Sequence, residues 1–223
     1  NVVVNYVRNQ APADEVVQAI QSMGCRAMSV RANIGKIEEI NKLFHAVREE
    51  FAGLDILISN AASGFNRPAL QQKETGWDHT LNVNARAFLF AAQQAAPLME
   101  ARGGGVMVAV SSPGSQRVMP DYVAVGASKA ALEALTRYLA VEFAPMNIIV
   151  NAVSPSLVET EALKHFAALA DPNVIQRATQ NTPAGRLVTP EDVAGVVAFL
   201  CSPAAFMIRG QVIVIDGGYL LKA

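Results

Sequence analysis

Val106–Asn151 reads VMVAVSSPGSQRVMPDYVAVGASKAALEALTRYLAVEFAPMNIIVN. An apolar run, Val106–Val110, is the length of a strand and runs straight into Ser111, Ser112 and Gly114. A loop then delivers Tyr122, with Lys129 seven residues later. A long helical pattern follows Lys129, and Ile148–Asn151 is a second apolar strand. A free phenol has a pKa near ~10 and is a poor acid or base at neutral pH. A nearby ammonium favours the phenolate, so that such a pair can pass a proton or hold a developing oxyanion. Seven residues is about two helical turns, so Tyr122 and Lys129 share a face if the helix starts near Asp121. By spacing alone, the pair reads equally well as two surface residues on one face.

The flanking sequence repeats the strand-then-helix pattern. Strands are expected at Asn1–Tyr6, Arg26–Ala32, Leu54–Ile58 and Gln211–Ile215. Helices are expected between Pro12 and Met23, over Lys36–Phe51, within Trp77–Arg102 (stopped by Gly103–Gly105), and over Pro190–Leu200 with its proline in the first turn. Apolar strands alternating with amphipathic helices predict an α/β fold, a doubly wound parallel sheet covered on both faces. No repeat, linker or low-complexity segment interrupts it, so residues 1–223 are expected to form one domain.

Composition narrows the function. Of 223 residues, 52% are hydrophobic and 17% charged, which excludes a disordered chain. The formal net charge of −1 gives no basis for nucleic-acid or anionic-membrane binding. No apolar run reaches the ~18 residues of a membrane span. Cys25 and Cys201 lie far apart, with neither a disulfide framework nor a secretory signal, which suits a reducing cytoplasm. His45, His79 and His165 have no metal-ligand spacing.

The order strand, Ser, loop, Tyr, Lys, long helix resembles the active-site segment of the short-chain dehydrogenase/reductase superfamily. Most members space the pair as Tyr-x3-Lys, but here Val125 stands four before Lys129. Tyr-x6-Lys resembles the enoyl-acyl-carrier-protein (enoyl-ACP) reductase branches, most closely the NADPH-dependent type III enzymes of bacterial fatty acid synthesis. The likeness extends through NAASG (Asn60–Gly64), SKAALEALTRYLAVE (Ser128–Glu142), ALKHF (Ala162–Phe166), NTPAGR (Asn181–Arg186) and MIRGQ-x-I-x-x-DGG (Met207–Gly218). It aligns Asn1 with the second strand of a Rossmann-type fold. The first strand and the Gly-rich turn that holds the cofactor pyrophosphate are absent from the given chain. About 30 residues, one strand-turn-helix unit, are expected ahead of it.

The resemblance assigns the site. Tyr122 and Lys129 are the catalytic pair, with Ser112 at the active-site serine position. Asn84 matches the helix asparagine that supports a water near the lysine, and Asn82 is close enough to be confused with it. Pro113 stands where leucine is expected. For the cofactor, NADPH, the resemblance points to Arg8 beside the 2′-phosphate, with no acid before Asp14. Asn33 and Ile34 lie at the adenine. Asn60, Ala61 and Ala62 form a close-approach turn that also reads as a plain strand-to-helix turn. Pro155, Val158 and Thr160 meet the carboxamide, with Ser156 replacing a common glycine. Residues 161–181 are then a substrate lid, offering Lys164 and His165. Expected partners are an acyl-carrier-protein-bound or CoA-bound enoyl substrate and further copies of the chain, as a homotetramer or dimer, through the helices carrying Asn84 and Lys129. Two rivals remain: an NADP-dependent short-chain carbonyl reductase acting on 3-oxoacyl or related substrates, and a scaffold that has lost its dinucleotide site.

Overall fold

The structure, a computed structural model, describes residues 1–160 and 172–222. Among the described residues, six strands, all parallel to their neighbours, alternate with helices: β1 (Val2–Tyr6), α1 (Gln10–Ser22), β2 (Ala27–Arg31), α2 (Ile37–Phe51), β3 (Ile56–Ser59), α3 (Glu74–Leu81), α4 (Ala87–Glu100), β4 (Gly105–Val110), α5 (Val123–Glu142), β5 (Ile148–Pro155), α6 (Pro172–Asn181), α7 (Pro190–Leu200) and β6 (Val212–Ile215). The expected elements are all present with ends moved by a few residues. The exception is β5, which runs on to Pro155 because it is fully buried and pairs on both edges.

Period-two alternation builds the two faces. Met107 and Ala109 of β4, with Ile148, Val150 and Ala152 of β5, point into a core filled by α2, α4 and α5. Val108 and Val153 point the other way, onto Leu200 of α7. The sheet is thus covered on both faces, as a parallel sheet requires. The ladder is in two pieces, β1-β2 and β3-β4-β5-β6. The break leaves β1 and β3 without a ladder between them. Ile56 and Ile58 of β3 are 44% and 40% exposed. Val3 of β1 and Leu57 of β3 nonetheless pack against the same core.

Local signals explain the helix limits. α2 carries Glu38 and Glu39 in its first turn and Arg48 in its last, matching the helix dipole. α4 stops at Glu100, where the amides of Gly103 and Gly104 cap the carbonyls of Glu100 and Met99. α7 begins with a reciprocal Thr189–Asp192 capping box and Pro190. Between α3 and α4 the helix widens into a π-turn, Asn82–Arg86. Of the expected lid, residues 161–171, including Lys164 and His165, lie outside the described residues; the remainder includes α6.

Phe88, fully buried two residues after the π-turn, anchors α4 in the main core. Phe88→Ala is expected to cost about 3–5 kcal/mol of stability in chemical denaturation. The change Lys42→Ala on the exposed face of α2 should stay within about 0.5 kcal/mol. Equal losses would contradict this packing.

Candidate active site

Four parallel strands deliver candidate residues from their carboxyl ends: β1 to Arg8, β2 to Asn33, β3 to Asn60, and β4 to Ser112. β5 delivers Pro155–Thr160 in the same sense. In open parallel sheets this edge, at the point where strand order reverses, is the binding crevice.

Tyr122 sits one residue before α5, as its cap, rather than inside a helix begun at Asp121. Its carbonyl still accepts the first helical bond, from Gly126 N at 2.7 Å. Asp121 precedes it in the left-handed region, φ 58°, and its carbonyl accepts from Arg67 N at 2.7 Å. That kink turns the phenol back toward β4, where Tyr122 Oη donates to Ser112 Oγ at 3.3 Å. The approach is close enough to require glycine at two places. A Cβ on Gly114 would lie 2.5 Å from the Tyr122 ring, and one on Gly126 would lie 2.6 Å from the Gly114 carbonyl oxygen.

Lys129, two turns into α5, is buried, and its Nζ donates to the Val110 carbonyl at 2.7 Å. Burial away from water pushes its pKa down to about 8. The ammonium therefore hangs on the last carbonyl of β4, two residues before Ser112.

The structure separates Asn84 from Asn82. Asn84 lies in the π-turn, is 2% exposed, and donates through Nδ2 to Ser128 Oγ at 2.9 Å. Its Oδ1 accepts from Ser63 N at 2.9 Å. Asn82 is partly exposed and accepts from Arg86 at the helix surface. π-turns within α-helices concentrate at functional sites. Asn84 thus ties the loop after β3 to the residue beside Lys129. Ser63 and Ser128 are members of this cluster that sequence reasoning did not single out, although both sit inside quoted motifs. Glu133, also missed, is buried one turn beyond Lys129. A charged residue at i+4 on a helix face that otherwise buries Leu132, Thr136 and Leu139 is the signal that could have found it.

The cofactor-side residues are placed as follows. Arg8 is exposed just past β1, and Arg31 at the end of β2 donates from Nε to the Val7 carbonyl at 3.2 Å. Asp14, the first acid, is engaged with Ser29 Oγ at 2.7 Å. Asn33 is turned into its own turn: its Oδ1 accepts from Gly35 N, and its backbone N–H donates to Glu39 Oε2. Ile34 packs partly on the core. Asn60, Ala61 and Ala62 are exposed and small beyond β3. Val158 bridges to Val188, leaving Thr160 exposed at the end of the loop. Two exposed cations, Arg8 and Arg31, thus stand together past β1 and β2, and exposed small residues follow β3.

Comparison with known proteins identifies the family. A family model described as Enoyl-(Acyl carrier protein) reductase matches residues 1–220. A 1-cyclohexenylcarbonyl-CoA reductase of Streptomyces collinus is 36% identical over 222 residues, covering all of this chain and 79% of the relative. A 7 alpha-hydroxysteroid dehydrogenase solved with NADH and 7-oxo glycochenodeoxycholic acid superposes with a TM-score of 0.91 at 32% identity, covering 98% of this chain and 84% of that one. A gluconate 5-dehydrogenase from Burkholderia cenocepacia J2315, solved with NADP and tartrate, superposes with a TM-score of 0.87 at 26% identity, covering 99% and 86%.

The depressed lysine has a consequence for stability. Below about 8 the ammonium is charged in both states and its burial opposes folding. Between about 8 and the ordinary lysine value near 10.4, the unfolded chain binds more protons than the folded one, so stability rises with pH. Denaturation midpoints of the protein and of Lys129→Met, measured from pH 7 to 10.5, should converge or cross as pH rises. A constant difference would contradict the burial of this amine.

Proposed function

The chain belongs to the short-chain dehydrogenase/reductase superfamily, and from that premise we propose that it is an NADPH-dependent reductase of trans-2-enoyl thioesters, an enoyl-ACP reductase of fatty acid biosynthesis. The observation that carries this reading is Tyr122, seven residues ahead of a buried Lys129, with its hydroxyl directed at Ser112. The family model described as an enoyl-ACP reductase supports it, and the CoA-linked name of the Streptomyces relative supports a thioester substrate.

A nicotinamide dinucleotide, when bound, supplies the hydride. Arg8, flanked by Arg31, would hold a 2′-phosphate, and the exposed ledge Asn60–Ala62 would take the dinucleotide at close approach. Pro155, Val158 and Thr160 would meet its nicotinamide end, and Asn33 and Ile34 its adenine end. The protein's own part is electrostatic. Hydride addition at C3 places the charge of an enolate on the thioester oxygen, where Tyr122 donates a hydrogen bond as an oxyanion hole does, and solvent water then delivers the proton to C2 to give the saturated thioester. Ser112 accepts the Tyr122 hydroxyl proton in the free protein and would donate its own hydroxyl hydrogen to the phenol oxygen once Tyr122 turns to the substrate. Lys129 keeps positive charge behind the pair, and Asn84 holds Ser128 and the loop after β3 in register with it.

A carbonyl reductase is the second reading. The solved neighbours are named for alcohol substrates, and a Tyr–Ser pair serves a ketone oxygen equally well. Among the described residues no helix is long and apolar enough to cross a membrane, and both cysteines are free thiols. We place the protein in the cytoplasm. We also expect a homotetramer or dimer: α5 leaves Tyr138 and Val141 69% and 76% exposed, beside the helix that carries Asn84.

NADPH oxidation with crotonyl-CoA should fall about 10²- to 10⁴-fold in Tyr122→Phe. A wild-type preference for 3-oxoacyl thioesters over enoyl thioesters would sink the primary reading and favour the second. In a fluorescence titration, Arg8→Ala should weaken NADPH binding about tenfold or more, as expected for losing a charge-assisted bond, while leaving NADH unchanged. Equal effects on both nucleotides would remove Arg8 from the phosphate.

A further inference from the structure

Glu133 is a carboxylic residue inside the protein, 4% exposed, on the face of α5 one turn beyond Lys129. Its Oε1 accepts from Ser111 Oγ at 2.6 Å and lies 2.5 Å from Ser115 Oγ. Its Oε2 accepts from Gln116 Nε2 at 3.4 Å. These donors bracket Ser112. Ser111 precedes it, and Ser115 and Gln116 close the tight turn that follows it, with Ser115 N bonded to the Ser112 carbonyl at 3.0 Å. None of the three partners is hydrogen-bonded to the phenol among the described residues, and Ser112 is the residue of this segment bonded to Tyr122.

We propose that Glu133 is a positioning residue for the Ser112 hydroxyl: its carboxyl group clamps the turn 111–116 onto α5, so that Ser112 meets Tyr122 at a fixed angle. The catalytic consequence rests on the reductase reading given above, whereas the clamp itself does not. A buried carboxyl group without partners is costly, so selection of leucine or alanine here would be the cheaper way to fill the space. Its three donors all come from one short turn. The group therefore trades apolar packing for control of that turn. Lys129 holds the last carbonyl of β4 and Glu133 holds the residues just beyond, so one helix grips the strand end at two successive levels.

The test uses the full chain with Glu133→Leu and Glu133→Gln, each alone and combined with Ser112→Ala. Hydrogen exchange should accelerate about tenfold or more in peptides covering residues 111–121 of Glu133→Leu, and stay unchanged in α4 and β5. With NADPH and crotonyl-CoA, Glu133→Leu should lower kcat on the order of 10²-fold, the scale of a displaced positioning contact, with KM nearly unchanged. Glutamine keeps an oxygen for both hydroxyls, so Glu133→Gln should remain within about threefold. In the Ser112→Ala background, Glu133→Leu should cost nothing further in kcat. Equal kcat losses in both backgrounds, or a glutamine variant as damaged as leucine, would overturn the proposal, as would exchange rising uniformly along the chain. If Glu133→Leu does not fold, Ser115→Ala removes one donor from the opposite side and carries the same comparison. A wild-type protein inactive on enoyl thioesters would sink the reductase reading alone. The exchange experiment would still decide the clamp, with local acceleration supporting it and its absence overturning it.

Discussion

A buried ammonium on the last carbonyl of a strand sets the geometry on which this site depends. Lys129 could satisfy its charge more cheaply in water. It is instead held in the interior against Val110, and burial lowers its pKa to about 8. A desolvated amine keeps a single partner only where the backbone around it is rigid. β4 and β5 supply that rigidity, with paired residues from Gly105–Ile148 to Val110–Val153 and side chains fully buried in the middle of the sheet. The position of α5 over the sheet is therefore fixed at the strand end, and Tyr122, Ser112, Ser128 and Glu133 take their places from it.

The site is assembled by turns and caps more than by regular elements. Tyr122 precedes its helix, Ser112 follows its strand, and Asn84 occupies a turn that is not α-helical. Each is anchored to a neighbour from a different part of the chain: Asn84 to Ser63 and Ser128, Tyr122 to Ser112, and Asp121 to Arg67. Rigid elements aim these residues while loops carry them, the arrangement expected of a scaffold that orients chemistry at one edge of a parallel sheet.

Much of this was legible in the sequence. Strand and helix placement followed from apolar runs and their punctuation, because β4 and β5 are buried on both faces and read as continuous Val, Ile and Ala. Tyr122, Lys129 and Ser112 were legible through spacing and resemblance. The start of α5 was not, because Asp121 adopts a left-handed conformation that no propensity predicts. The partner of Lys129 is a main-chain oxygen, which has no letter in a sequence. Asn82 and Asn84 were indistinguishable by type, and the π-turn, a tertiary outcome, separates them. Asn33 turned into its own turn because its amide has Gly35 within reach, a local competition that a family alignment does not register.

The π-turn also acts as an angular offset. A π-turn holds one residue more than an α-turn, which on a helix of 3.6 residues per turn is a rotation of about 100°. α4 buries Phe88, Ala92, Ala95 and Met99 as one stripe, and α3 buries Thr80 beneath the loop after β3. The widened turn allows both stripes, and Asn84 between them, to face inward at once. Deleting one residue between 82 and 86 would yield a more regular helix and a worse protein. Everything ahead of the deletion would swing round the axis, taking Thr80 away from the loop after β3. In this segment chain length, as much as residue identity, sets where Asn84 points.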